Sequence, residues 1–129
     1  MTQEDKELLI KELSARLPYG VCVEHTSGFR GTLHDITVYF TYNDDDTIKD
    51  YLCYTDFFGD ESCKIEFFKP YLFPLSSMTD EQKAELDSIK AKGIDAFEEL
   101  YEFYHKNHFD FRGLIELGLA FDATNENIY

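Results

Sequence analysis

Residues 19–42 read YGVCVEHTSGFRGTLHDITVYFTY, and this stretch decides the fold. Apolar side chains recur at every second position on both sides of a Ser-Gly pair. They are Val21 and Val23 before the pair and Ile36, Val38, Phe40 and Tyr42 after it. A period of two is typical of β-strands, and Ser27 with Gly28 is typical of a turn. The stretch therefore predicts two antiparallel strands joined by a short connection.

Two further strand-like stretches follow at short intervals. Residues 51–54 predict a third strand, and residues 63–68, with Ile65 and Phe67 on one side, predict a fourth. The polar residues 43–46 between the second and third strands predict a solvated hairpin turn. Because nothing helical separates these strands, we expect an antiparallel sheet of three to five strands, strongly curved or closed into a small SH3-like barrel.

The chain opens with a helical pattern. Thr2 and Asp5 form an acidic variant of a capping box, and leucines at helical spacing continue towards Pro18. These signals predict a helix over about residues 3–16. Two acid-first i,i+4 pairs, which we expect on the solvated face of this helix, are Glu7 with Lys11 and Glu12 with Arg16.

Residues 69–77 contain Pro70 and Pro74 and separate the strands from a helical region. Because a proline lacks the donor that a sheet ladder needs, this segment is not expected to be a central strand. Thr79 with Gln82 is a full capping box, which predicts a helix over residues 80–92.

A third helix is predicted from Asp95, with an apolar stripe that we expect to pack on the sheet. The stripe consists of Phe97, Leu100, Tyr101 and Tyr104. Asp110 is placed to cap a short helix that ends at Leu117, with Gly118 as its left-handed final residue. We expect residues 119–129 to form either an extra edge strand or a docked tail. The whole pattern predicts an α+β fold in a single domain over residues 1–129.

The charge is strongly acidic, with 26 Asp and Glu against 12 Lys and Arg and a formal net charge of −14. Such a surface repels nucleic-acid phosphates and anionic lipids, so we expect neither direct nucleic-acid binding nor membrane binding. A protein partner with a basic surface is favoured, although the same charge also serves simply to keep a protein in solution. No secretory leader pattern is present, and three cysteines without CxxC spacing are typical of buried thiols in a reducing compartment. We therefore expect a cytoplasmic protein.

Complete catalytic motifs are lacking, because the chain has no GxSxG, GxxxxGK[ST], GxGxxG or HExxH sequence. This inventory favours a protein without enzymatic activity, and no cofactor or metal is predicted. The residues with the most chemical potential are candidate ligand-binding groups near the end of the third helix: Arg112, Asp110, His105 and His108.

These candidates have alternative structural explanations. Histidines with a carboxylate are a plausible metal ligand set, but histidines near a helix C-terminus are also favoured by the helix dipole alone. Arg112 can form an internal ion pair with Asp110 or present a bidentate fork to a carboxylate or phosphate. The sequence leaves both alternatives open.

Three stretches carry a resemblance to a known group of proteins: LSARLPYG at residues 13–20, KPYLFPLSSMT at 69–79 and DFRGLIELGLA at 110–120. Together they resemble a family of small uncharacterised proteins encoded by phages and mobile elements of gut anaerobes. This resemblance implies no catalytic residue.

Two functional hypotheses follow. The first is a non-enzymatic, acidic protein-interaction module of a phage or mobile element, in its sharpest form a mimic of nucleic acid. The second is a small-molecule-binding or enzymatic domain with a site between the sheet and the C-terminal helices. The sequence also leaves a homo-oligomer open, since 12 Phe and 9 Tyr are many for one core.

Overall fold

The chain forms the predicted α+β arrangement of an N-terminal helix, a mostly antiparallel sheet and C-terminal helices. A computed structural model describes residues 1–42 and 47–129, so the turn expected at residues 43–46 lies outside the described residues. The helices are α1 (Gln3–Arg16), α2 (Asp80–Ala91) and α3 (Phe97–Lys106). The strands are β1 (Cys22–His25), β2 (Arg30–Tyr42), β3 (Thr47–Thr55), β4 (Ser62–Lys64), β5 (Phe68–Leu72) and β6 (Phe121–Asp122).

The sheet has six strands in the order β4-β3-β2-β1-β5-β6, instead of the predicted three to five, and it is open, with β4 and β6 at its edges, so the alternative of a closed SH3-like barrel is wrong. All neighbours are antiparallel except β5 and β6, which are parallel. β6 is the edge strand that the sequence left open for its last segment. The predicted fourth strand is divided by a 3-10 turn at Ile65–Phe67, because β4 ends before it and β5 begins after it.

The expectation that residues 69–77 hold no central strand is wrong for β5. This strand lies between β1 and β6, and Pro70 pairs with Val23. The Leu72 carbonyl accepts from the Ala123 N–H on the β6 side, so Pro70, two residues earlier, turns its nitrogen to that same side. β6 begins only opposite Tyr71. The missing donor of Pro70 therefore faces a position where no ladder bond is needed.

Helix α1 begins and ends as its capping signals predict. Thr2 and Asp5 form the reciprocal capping box, and Gly20 adopts a left-handed conformation after the 3-10 turn that follows α1. Leu9 and Leu13 are fully buried in the main core, between the helix and the sheet. Full burial of each leucine contributes about 1.5–3 kcal/mol, which holds α1 on the sheet.

The expected solvated position of the pair Glu12 and Arg16 is wrong. Glu12 is 1% exposed and Arg16 is 0% exposed. Both residues lie on the side of α1 that carries Leu9 and Leu13, because positions three and four apart share a helix face. Their burial is compensated by the ion pair between them and by partners from the segment after α3, which are Arg112 for Glu12 and the Phe109 carbonyl for Arg16.

Helices α2 and α3 enclose a second, smaller core. Its buried members are Met78, Leu86, Ile89, Phe103 and Phe109. The stripe predicted to pack on the sheet divides instead: Leu100 and Tyr104 pack on this second core, whereas Phe97 and Tyr101 are exposed. The reason is that α2 covers the side of α3 that carries Leu100 and Tyr104.

The segment after α3 forms turns in place of the predicted short helix. Asp110 nonetheless caps it, since its carboxylate accepts from the Leu114 and Ile115 N–H groups at 2.8 and 2.9 Å. Gly118 adopts the predicted left-handed conformation, with φ of 75°. The predicted helix through Leu117 is therefore wrong, although Asp110 and Gly118 both stabilise the turns that replace it.

Candidate functional site

A buried ionic cluster joins α1 to the segment after α3. The Glu12 carboxylate accepts a hydrogen bond from Arg16 Nη1 and forms an ion pair with Arg112 Nε. Arg16 also donates to the Glu12 carbonyl at 3.1 Å and to the Phe109 carbonyl at 2.6 Å. One carboxylate thus faces two guanidinium groups.

The two arginines differ in exposure. The Arg16 side chain is fully buried, whereas 29% of the Arg112 side chain is exposed. Arg16 Nε is buried without a hydrogen-bond partner among the described residues, and the ion pair between Arg112 Nε and Glu12 Oε1 lacks hydrogen-bond geometry. The cluster therefore carries a formal excess of one positive charge, and Arg112 is the member that reaches solvent.

The Phe111 ring forms the floor beside this cluster. The Arg112 guanidinium lies 4.8 Å from the ring centroid and the Arg16 guanidinium lies 6.0 Å from it. Tyr104 stacks on Phe111 with 4.7 Å between ring centroids, and the His105 ring lies at 5.5 Å. Guanidinium contacts with an aromatic face are attractive and orient the planar group.

The positive charge of the cluster affects the pKa of His105. Burial, followed by the nearby Arg16 guanidinium, lowers the pKa of His105 below its ordinary value. Arg112 acts in the same direction and Glu12 opposes it. The His105 imidazole is thus favoured in its neutral form beside two permanent cations.

His108 lies apart from the cluster, next to the C-terminal tail. It is 5% exposed, adopts a left-handed backbone conformation with φ of 56°, and stacks on Tyr129 with 3.9 Å between centroids. Burial, followed by Arg16, lowers the pKa of His108 to about 4. α3 ends at Lys106, so His108 lies beyond the helix and does not share a helix face with His105.

A cleft of about 400 Å³ lies next to His108, between the end of β5 and the helices α2 and α3. Its lining includes Lys106, Gln82 and Tyr129. The Tyr129 hydroxyl is held by the Cys22 N–H at 2.8 Å and donates to the Tyr71 carbonyl at 2.9 Å. These bonds fasten the tail to the sheet and close one side of the cleft.

The structure brings together only part of the predicted set. Arg112 and His105 both contact the Phe111 ring. The Asp110 carboxylate is instead occupied by the Leu114 and Ile115 N–H groups, and His108 faces the C-terminal tail. The internal ion pair of Arg112 forms with Glu12, not with Asp110 as one of the two alternatives proposed. Sequence reasoning missed Glu12 as a site residue. Its i,i+4 spacing to Arg16 was recognised, but this spacing carries no information about burial.

A second unusual feature is the outer edge of β2. β1 pairs with β2 only at residues 30–32, and beyond the irregularity between Leu33 and Asp35 the described part of β2 has β3 alone beside it. Residues 35–42 are therefore an edge of the sheet, and residues 38–42, whose partners on β3 lie beyond the end of β4, form one half of a two-stranded arm. No proline, lysine or further bulge interrupts this edge up to Tyr42.

Alternate residues of this edge turn their backbone groups outwards. The Ile36 N–H is bonded by the Asp35 carboxylate at 2.8 Å, so it points away from the ladder with β3. Because backbone direction alternates along a strand, Val38, Phe40 and Tyr42 also direct N–H and C=O groups to the outer edge. Unpaired groups of this kind form a template for another strand.

The side chains of these residues are exposed as well. Val38, Phe40 and Tyr42 are 44%, 49% and 76% exposed. Their shared face was predicted correctly, but the core does not cover it. β-branched and aromatic residues in this pattern are those that an added strand packs against.

Two kinds of site are absent from residues 1–42 and 47–129. No group of three or more His, Cys, Asp and Glu side chains there is arranged to hold a metal ion. No helix in the same ranges is long and apolar enough to cross a bilayer.

Comparisons with known proteins give no match. No protein-family model matches the chain, and neither a curated protein nor a solved structure matches it. The function is therefore inferred from three structural features: the α+β fold, the β2 edge and the buried ionic cluster.

Proposed function

We propose that this chain is a non-enzymatic protein-interaction module that binds an extended segment of a basic protein along the outer edge of β2. The observation that carries this proposal is the row of outward backbone groups and exposed side chains at Val38, Phe40 and Tyr42. Addition of a strand to such an edge satisfies the backbone groups, and the exposed side chains select the partner.

Charge supports a basic partner. The chain has a formal net charge of −14, Asp35 lies at the start of the free edge, and three aspartates follow Tyr42 in the sequence. A partner strand with lysine or arginine experiences attraction at long range, whereas a second copy of this chain experiences repulsion. The same charge disfavours binding to nucleic acid.

The resemblance of residues 13–20, 69–79 and 110–120 to small proteins of phages and mobile elements is part of this proposal. A module from such an element acts on a protein of its host or of the element itself. The proposed activity needs no catalytic residue and no cofactor.

The test is capture of partners from a bacterial lysate by the tagged protein and by two variants at one position. Val38→Pro removes an outward backbone N–H without removing a donor to β3. Val38→Thr keeps this backbone N–H and has a side chain of similar shape to valine. We expect capture by the wild type and Val38→Thr, and about tenfold weaker capture by Val38→Pro.

The identity of the captured protein tests whether the partner is basic. A basic protein that is released by salt supports the proposal. Equal capture by Val38→Pro and Val38→Thr, with both variants folded by circular dichroism, would place binding elsewhere. Capture of acidic proteins would contradict the proposed charge complementarity.

A further inference from the structure

The buried ionic cluster leaves one positive charge without a counterion. Glu12 supplies one carboxylate to two guanidinium groups, and Arg16 is fully buried. Because buried Glu12 and Arg16 pair with each other, the excess positive charge lies at the partly exposed Arg112, where it favours an additional anion. The lowered pKa of His105, to which both arginines contribute, agrees with this potential.

Arg112 is the group that an anion can reach. Its Nε is engaged by Glu12, and its guanidinium plane lies over Phe111 at 4.8 Å. In the part of the chain that the structure describes, Glu12 is its sole ion-pair partner. A guanidinium carries five N–H donors in a planar fork, so the two terminal nitrogens remain for a second acceptor.

This arrangement is prepared in advance of binding. The Glu12 contact and the Phe111 ring hold the orientation of the guanidinium, which reduces the conformational entropy that binding would otherwise cost. A bidentate arginine fork matches the oxygen spacing of a carboxylate or a phosphate.

Exposed aromatic rings flank the fork. Tyr101 lies 5.6 Å from Phe111 between ring centroids and is stacked on Phe97 at 6.4 Å. Both Tyr101 and Phe97 are exposed. An apolar group attached to the anion can pack on these rings while its oxygens contact the guanidinium.

We propose that Arg112 and the Phe111 floor form a binding site for a small organic oxyanion, a carboxylate or phosphate monoester carried on an apolar group. The site lies between α1 and α3, on a different part of the molecule from the β2 edge and from the predicted position between the sheet and the C-terminal helices. It is independent of the proposed strand addition.

The experiment is an NMR titration of the full chain with phenyl phosphate, with benzoate and with uncharged benzamide. We expect phenyl phosphate, benzoate or both to shift the Arg112 Nε–Hε and His105 ring signals, and benzamide to leave them unchanged. The bound anion should also raise the pKa of His105, because it offsets the nearby guanidinium charge. The relative affinity of the two anions then distinguishes a phosphate site from a carboxylate site.

Matched arginine variants separate the site from general charge effects. Arg112→Gln leaves the Glu12–Arg16 pair intact and should weaken anion binding about tenfold or more. Arg112→Lys keeps the charge but loses the fork, and should also weaken it. Arg30→Gln removes another partly exposed arginine, which pairs with Glu24 and Glu126, and should have no effect.

Two results would overturn the proposal. One is the absence of shifts at Arg112 and His105 with both anions. The other is equal binding by Arg112→Gln and the wild type, with an unchanged pattern of amide signals showing that the variant is folded.

Discussion

Replacing Glu12 by glutamine would leave Arg16 and Arg112 without their shared carboxylate while hardly changing the volume of the side chain. Glu12 is 1% exposed and Arg16 is 0% exposed, so water cannot take over the role of the carboxylate. Breaking a buried ion pair by removing one partner costs about 3–5 kcal/mol. A domain of this kind has a free energy of unfolding of about 5–15 kcal/mol, so the loss is a large fraction of the total.

The two arginines should differ in their own contributions. Arg16→Gln removes a fully buried cation with bonds to Glu12 and Phe109 and should also cost about 3–5 kcal/mol. Arg112→Gln leaves the Glu12–Arg16 pair in place and should change the free energy of unfolding by no more than about 1 kcal/mol. The double variant Glu12→Gln/Arg16→Gln should cost less than the sum of its single changes, because the two residues interact directly.

Urea unfolding at pH 7, followed by circular dichroism, measures these values, and Glu4→Gln on the exposed side of α1 is the matched control. A loss below about 1 kcal/mol for Glu12→Gln would refute the reasoning. Such a result would mean that the guanidinium groups find other acceptors or reach water.

Two further predictions concern other parts of the molecule. Burial and the nearby Arg16 lower the pKa of His108 from its ordinary 6.5 to about 4. The folded protein should therefore keep its full free energy of unfolding above pH 6.5, where His108 is neutral in both states. It should lose about 3 kcal/mol as the pH falls from 6.5 towards 4. The His108 ring signals should titrate near pH 4, and a midpoint near 6.5 would show that the ring is not buried as described. Gly31→Ala should destabilise by about 1–3 kcal/mol, because the new Cβ would overlap Asp56 Oδ1 and lie 2.8 Å from Phe57 Cδ1. An unchanged urea midpoint would show that the loop of Asp56 moves away freely.

Local signals in the sequence predicted the beginnings of α1 and α2 well. The capping boxes at Thr2 and Thr79 mark the beginnings of α1 and α2, because a cap depends on side chains only three residues apart. Gly118 likewise adopts the left-handed conformation that its position indicated. These features need no information from distant parts of the chain.

Features that depend on distant contacts were not predictable in the same way. The pair Glu12 and Arg16 has the same spacing on a wet or a buried face, and the burial of Arg16 depends on Phe109, which lies far away in sequence. Similarly, the alternation of apolar and polar residues showed that Val38 and Phe40 share a face. The exposure of these two side chains, however, depends on where β1 and β4 end. Periodicity identifies a face but not the element that covers it.

The central claim, an unpaired outer edge on β2, is tested most directly by amide hydrogen exchange of the free protein, residue by residue. We predict fast exchange at Val38 and Phe40, whose N–H groups point outwards, and slower exchange at Tyr39 and Thr41, which lie in the ladder with β3. Addition of the captured basic partner should slow Val38 and Phe40 selectively. Equal protection of all four amides in the free protein, or protection that rises with the concentration of the protein alone, would contradict the account, because the edge would then already be covered or be paired with a second copy.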